Sequence, residues 1–199
     1  MNPIWQSLIT GEHGALELLY RQHGGALLRY GKQFAEMEVV KDAVHDLFVR
    51  LWDKHETLNP AANPRPYLLI ALRNDLLRAN KKASKTGELS EAPEDETPSI
   101  ESELVDAEKT VAKNATLASA VGQLSERERE LIELRFTQNL DYEDIVEVTG
   151  ISYQSARNTL ARAIGKLRKS LGMTFLLSCL GTKLLFDPYL LETLLHAAS

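Results

Sequence analysis

The sequence holds a single cysteine, Cys179, in 199 residues, so no disulfide can form within the chain. That excludes a disulfide-stapled secreted scaffold and makes a reducing compartment the natural setting. Five histidines stand at positions 13, 23, 45, 55 and 196, with no metal-ligand spacing among themselves or to Cys179, and no metal site is expected. A glycine-rich loop of the phosphate-cradling kind is missing, as is any cysteine–histidine or carboxylate constellation at a catalytic spacing. An enzyme is therefore the weakest reading, and neither a cofactor nor a small-molecule substrate is expected. Alternating β-branched runs and Asn-Gly or Asp-Gly hairpins are absent, which argues against a sheet. No stretch approaches the ~18 uninterrupted apolar residues that a membrane span needs. The first residues, Met1 to Gln6, lack the basic region and apolar run of a signal peptide. These absences together lead to the expectation of a soluble cytoplasmic protein.

Helical periodicity fills what remains, and an all-α protein is expected. Residues 1–82 read as one helical block and residues 110–171 as a second. Residues 83–109 join them. From Thr86 to Glu108 there are nine acidic residues and no basic one, with Pro93 and Pro98 among them. Such a segment buries too little apolar surface to offset its ordering entropy and reads as a flexible acidic linker. The last part, 172–199, is an apolar tail in which Asp187-Pro188 looks like the cap and first residue of a short helix reaching Ala197.

The second block has three written helix starts. Ser125-Glu126-Arg127-Glu128 has the form of a capping box. Asp141 can cap a helix over Tyr142–Thr149, and Ser152 can cap another from Tyr153 to about Leu171. Only Gly150-Ile151 separates these two, a turn in which glycine supplies the left-handed conformation. Two helices joined so tightly form a helix-turn-helix. Charge is segregated within the block. Residues 118–147 carry three basic and eight acidic residues, whereas 148–171 carry Arg157, Arg162, Lys166, Arg168 and Lys169 and no acid. The chain's net charge of −5 thus hides one strongly cationic helix, the footprint of a surface that faces phosphates. On that helix Ala156, Leu160, Ala163, Ile164, Leu167 and Leu171 gather on one side, and Gln154, Asn158 and Arg162 point the other way beside Ser155 and Arg157. Gln and Asn pair bidentately with adenine and Arg with guanine. A solvated amphipathic helix whose cations favour its C-terminal end is the plainer reading of the charge alone. The tight turn, the caps and the charge switch weigh against it.

In the first block Val44, Leu47, Phe48 and Leu51 recur at helical spacing, opposite a face of Asp42, Asp46, Val49, Arg50 and Asp53. A proline-bearing loop, Leu58 to Pro66, precedes Tyr67 to Arg78, an apolar helix carrying a polar stripe of Asn74, Arg78 and Lys81, with Arg73 and Lys82 nearby.

At this point a family resemblance carries the reading further. Gln123 through Arg135, Leu140-Asp141-Tyr142-Glu143-Asp144-Ile145-Val146, Gly150-Ile151-Ser152-Tyr153-Gln154-Ser155-Ala156-Arg157-Asn158 and Arg162-Ala163-Ile164-Gly165-Lys166-Leu167-Arg168 resemble region 4 of the RNA polymerase sigma-70 family. Asp42 through Trp52 and Tyr67 through Arg78 resemble helices of its region 2, in the manner of the extracytoplasmic-function (ECF) subfamily. The family usually has alanine where Val146 stands and valine where Ala156 stands, a swap that conserves volume if the two side chains meet.

The resemblance implies two helical domains and no bond chemistry. It implies that Tyr153, Gln154, Ser155, Arg157, Asn158, Arg162 and Lys166 read a promoter −35 element. Asn59, Asn63, Arg65, Arg73, Asn74, Arg78 and Lys81 would read and open the −10 element, with a flipped base captured by the loop. Asp42, His45, Asp46, Val49, Arg50 and Asp53 would dock on the clamp helices of the polymerase β′ subunit. Core RNA polymerase (β′ clamp helices and β flap), promoter DNA and an anti-sigma factor are the implied partners. A tether of roughly 25–30 flexible residues spans promoter elements tens of ångströms apart, at about 5–6 Å × √n; shielding of the basic face is the other role open to it. The tail is open between packing under region 4 and docking an inhibitor or a membrane surface. A one-component or response-regulator transcription factor would share the second block without needing the first, and would bind a palindrome as a dimer. A helical protein that mimics sigma and binds polymerase without melting DNA is a further reading.

Overall fold

A computed structural model describes residues 2–86 and 119–171, and every element among them is helical. The chain divides into two compact units. The acidic run from 87 to 108, the tail and the helix expected after Asp187 lie outside the described residues.

The first unit holds four helices: α1 (Pro3–Ile9), α2 (His13–Gly31), α3 (Met37–Asp53) and α4 (Pro64–Thr86), with a 3-10 turn at His55–Thr57. α1 starts where Asn2 accepts a hydrogen bond from the Trp5 backbone N–H at 3.2 Å and Pro3 takes the first helical position. α4 runs four residues past the boundary expected at 82.

Helices α2, α3 and α4 pack on one another, and α1 packs on α2. Their shared core holds Trp5, Leu8, Leu19, Leu27, Tyr30, Val40, Val44, Leu47, Leu51, Leu68, Leu72 and Leu76. The predicted stripe of Val44, Leu47, Phe48 and Leu51 is buried as a set. Each such side chain contributes about 1.5–3 kcal/mol by leaving water. The tightest approach is at Gly31, the last residue of α2. A Cβ there would overlap Cγ1 of Val40 on α3 and lie 3.4 Å from Cδ1 of Leu76 on α4.

The second unit begins with helical residues 119–122, followed by α5 (Glu126–Ile132), a π turn at Glu133–Thr137, α6 (Tyr142–Thr149) and α7 (Tyr153–Leu171). The three expected caps all form. Ser125 and Glu128 exchange the two bonds of a capping box. Asp141 Oδ1 accepts from the Asp144 N–H at 2.8 Å, and Ser152 Oγ accepts from the Ser155 N–H at 3.2 Å. Gly150 takes φ 69°, the left-handed value the turn demands.

The π turn was not anticipated. There the chain widens to place Gln138 wholly inside, with its amide on Glu133 Oε1 at 2.9 Å, and Asn139 then turns the chain at φ 57°. α5 packs on α7, and Ala120, Leu124, Ala163 and Leu167 form a cluster flanked by Val121, Ile132 and Leu171. Ala156 is fully buried and Val146 half-buried.

Substitution Gly31→Ala is expected to destabilise the first unit. Overpacking of this kind costs about 1–3 kcal/mol, and the gain in helix propensity returns only about 1 kcal/mol. Urea denaturation should show a lower midpoint; an unchanged midpoint would mean that Val40 can rotate away freely.

Candidate nucleic-acid interface

α7 presents its two faces as the sequence divides them. Ala156, Leu160, Ala163, Ile164 and Leu167 are buried, while Tyr153, Gln154, Ser155, Asn158, Arg162 and Lys166 are exposed and Arg157 is half-exposed. The exposed groups are ordered by contacts along the helix. Gln154 Nε2 donates to Asn158 Oδ1 at 2.9 Å, one turn away, and Arg162 Nη2 donates to Thr159 Oγ1 at 3.2 Å. Ser155, Asn158, Thr159, Ala161 and Arg162 line an open groove on this side of the helix.

A ladder of rings and guanidinium groups fixes the N-terminal end of α7 against α6. Arg135 lies 4.9 Å over the Tyr142 ring, Tyr142 and Tyr153 have centroids 5.4 Å apart, and Arg157 lies 5.8 Å from the centroid of Tyr153. Arg135 also donates to the Leu140 carbonyl at 3.0 Å. The periodicity identifies Arg157 but not Arg135 and Tyr142, which orient it through Tyr153; residues 22 and 15 positions away across a turn carry no periodic signal of meeting.

Lys166 has a specific partner. Its ammonium donates to Glu128 Oε2 at 2.7 Å, with the Glu128 side chain 6% exposed and that of Lys166 50%. Burial pushes the Glu128 carboxyl up. The bonds from the Lys166 side chain, from the Ser125 backbone and from the Ser125 side chain outweigh it and hold the group below the ordinary glutamate value. One carboxylate therefore caps α5 and ties α5 to α7.

In the first unit the polar face of α3 is open as expected: Asp42, His45, Asp46, Val49, Arg50 and Asp53 are all exposed. Val39 joins it, so Val39, Asp42, Asp46, Val49 and Asp53 form one alternating apolar and acidic stripe, with both valines close to half exposed. Carrying the helical spacing one turn back from Asp42 would have found Val39. Arg50 leaves the stripe to pair with Asp75 of α4, which Arg78 also approaches at 3.9 Å.

On α4, Asn74, Arg78 and Lys81 are exposed in a row and Arg73 is half-exposed. Asn59 and Asn63 use their side-chain oxygens to shape the loop, accepting from the N–H groups of Ala61 at 3.0 Å and Arg65 at 3.3 Å. Arg65 is half-buried beside His23. The imidazole of His23 is buried, Nε2 has no hydrogen-bond partner, and desolvation followed by the charge of Arg65 lowers its pKa. Among the described residues no group of three or more His, Cys, Asp or Glu could hold a metal, and no helix is long and apolar enough to cross a membrane.

Replacing Glu128 by Gln is expected to cost about 1–3 kcal/mol at neutral pH, the range for hydrogen bonds to a charged group. The folded carboxyl binds its proton at lower pH than the unfolded one, so its contribution is complete above about pH 4.3 and is lost as pH falls through the folded value. Denaturant titrations from pH 7 downward should show the two proteins converging in acid. A constant difference would show that charge is not what Glu128 contributes.

Residues 115–167 match the family described as Sigma-70, region 4. The chain is 27% identical over 165 residues to the RNA polymerase sigma-E factor of Streptomyces coelicolor, covering 81% of this chain and 88% of that protein. It is 24% identical over 164 residues to the ECF RNA polymerase sigma factor SigL of Mycobacterium tuberculosis, covering 81% and 92%. Against the RNA polymerase sigma factor YlaC of Bacillus subtilis it is 26% identical over 166 residues, covering 79% and 92%. Two solved structures share its fold. One is CnrH in complex with the cytosolic domain of CnrY, with TM-score 0.57 and 21% identity over 83% of this chain and 93% of the other. The second is the sigma factor RpoE in complex with the anti-sigma factor NepR from Bartonella quintana, with TM-score 0.61 and 19% identity over 78% and 95%. The helix-turn-helix thus matches a sigma-70 region 4 model, and sigma factors, one of them described as ECF, are similar to this chain along about four-fifths of its length.

Proposed function

We propose that this chain is a promoter-specificity subunit of bacterial RNA polymerase, working in the cytoplasm and carrying no catalytic centre of its own. The first unit corresponds to region 2. Its α3 stripe docks on the β′ clamp helices, and the 58–66 loop with α4 reads and opens the −10 element. The second unit corresponds to region 4, with α7 in the major groove of the −35 element and contact with the β flap. The segment between them is the tether, and an anti-sigma factor withholds the protein from polymerase, by analogy with the complex of RpoE with the anti-sigma factor NepR.

One observation carries this reading above that of a conventional helix-turn-helix regulator. The alignment with sigma factors extends through the first unit, where the exposed α3 stripe and the α4 polar row have no use in a protein that binds only duplex DNA.

Exposed Arg162 stands one turn beyond Asn158 on the open face. Its replacement by Ala should cost about 1–3 kcal/mol at one base pair if the contact is to a base, or reduce the salt slope by about 1 if it is to a phosphate. Footprinting of the variant with core polymerase should show weakened −35 protection, and unchanged protection would remove Arg162 from the interface. The function itself is tested by run-off transcription with core polymerase on a library of genomic promoter fragments. Transcripts that require the chain and share a −35/−10 pair are expected; DNA binding without dependent transcripts would indicate a conventional regulator.

A further inference from the structure

The 58–66 loop is not self-supporting. Two adjacent residues of α1, 54 positions earlier in the chain, hold its backbone. The indole N–H of Trp5 donates to the Asn59 carbonyl at 3.0 Å, and Gln6 Nε2 donates to the next carbonyl, Pro60, at 2.7 Å. Trp5 is fully buried, so its N–H has left water and its bond to the loop replaces that hydration. Its ring also meets Tyr67 edge-on, with centroids 5.3 Å apart, which ties the first turn of α4 to the same anchor. The Asn2 cap holds α1 helical, so that positions 5 and 6 stay in register with the loop.

These bonds act where the loop would do its work. The Asn59 carbonyl that Trp5 holds also accepts the N–H of Ala62 at 3.1 Å, closing a turn, and Asn59 Oδ1 accepts the N–H of Ala61 at 3.0 Å. Asn59 and Asn63 both spend their side-chain oxygens inward, while their Nδ2 groups have no partner among the described residues. Two amide donors at fixed positions on a loop rim suit acceptor atoms on the edge of an unpaired base. A freely moving loop would have to be ordered upon binding, and that entropy is subtracted from the base contact. A loop already ordered by α1 avoids the loss for the base that fits and keeps its misfit with others.

We infer that Trp5 and Gln6 are positioning residues for −10 base selection, acting through the backbone of Asn59 and Pro60 without touching DNA. The inference rests on the reading of the 58–66 loop as the −10 reader. It gives α1 a role beyond core packing that neither periodicity nor the sigma-70 resemblance assigns.

The test uses the full chain with core polymerase on a promoter it transcribes and on single-base variants across the −10 element. The quantity read is the discrimination ratio, the initiation rate on the preferred base divided by that on a substituted one. Trp5→Phe keeps an aromatic ring and loses the donor with part of the buried ring volume; Gln6→Glu keeps the shape, loses the donor and sets a carboxylate against the Pro60 carbonyl. The double variant should lower the ratio at the captured base by about thirtyfold, the effect of two hydrogen bonds near 1 kcal/mol each. Affinity for core polymerase and −35 protection should stay at wild-type levels. A merely destabilised protein would lose active fraction equally on both templates and leave the ratio unchanged, so an unchanged ratio overturns the inference. Should the double variant fail to fold, Gln6→Glu alone, on the half-exposed side of α1, should lower the ratio about fivefold; no change there overturns it equally. A wild-type protein that initiates without preferring any −10 base would instead overturn the reading of the loop itself.

Discussion

A helix in a small helical unit can turn one side to the core and must leave the other to solvent. In the first unit this division depends on the absence of a side chain at Gly31, where α2 closes on Val40 of α3 and Leu76 of α4. With α3 and α4 drawn against α2 along their leucine and valine stripes, their remaining faces are determined. α3 can show only its valine and acid stripe, and α4 only its row of Asn74, Arg78 and Lys81. The faces assigned to partners are the ones that the packing leaves outside.

The second unit solves a different problem, because its outward face must be cationic in a chain of net charge −5. Acids are concentrated in α5 and α6, and α7 carries none. Glu128 connects the two populations. It is the buried end of a capping box and the counterion of Lys166, so α7 is anchored by part of its own positive charge while Arg157 and Arg162 remain on the open side. The Arg135–Tyr142–Tyr153–Arg157 ladder orients the N-terminal end of the same helix. An interface ordered before DNA arrives loses less entropy on binding than one that must be assembled.

The loop before α4 shows the same economy by other means. Pro60 within it and Pro64 and Pro66 in the first turn of α4 limit its conformations, and its two asparagines fold it locally through their own side chains. α1, the shortest helix of its unit, supplies the remaining restraint through Trp5 and Gln6.

Local chemistry by itself determined the helices, their caps and their faces. Ser125, Asp141, Ser152 and Gly150 announce their roles because caps and left-handed turns depend on residues within four positions of one another. The buried stripe of α3 and the exposed polar face of α7 followed from a 3.6-residue period for the same reason. Tertiary structure alone decided which distant groups meet. Trp5 with Asn59, Arg50 with Asp75, Lys166 with Glu128 and Arg135 with Tyr142 are pairings made by packing, and no periodicity encodes a contact between separate helices. The widened turn at Glu133–Thr137 belongs to this second class. It brings Gln138 inside, a burial that no cap or hydrophobic period in the sequence announces.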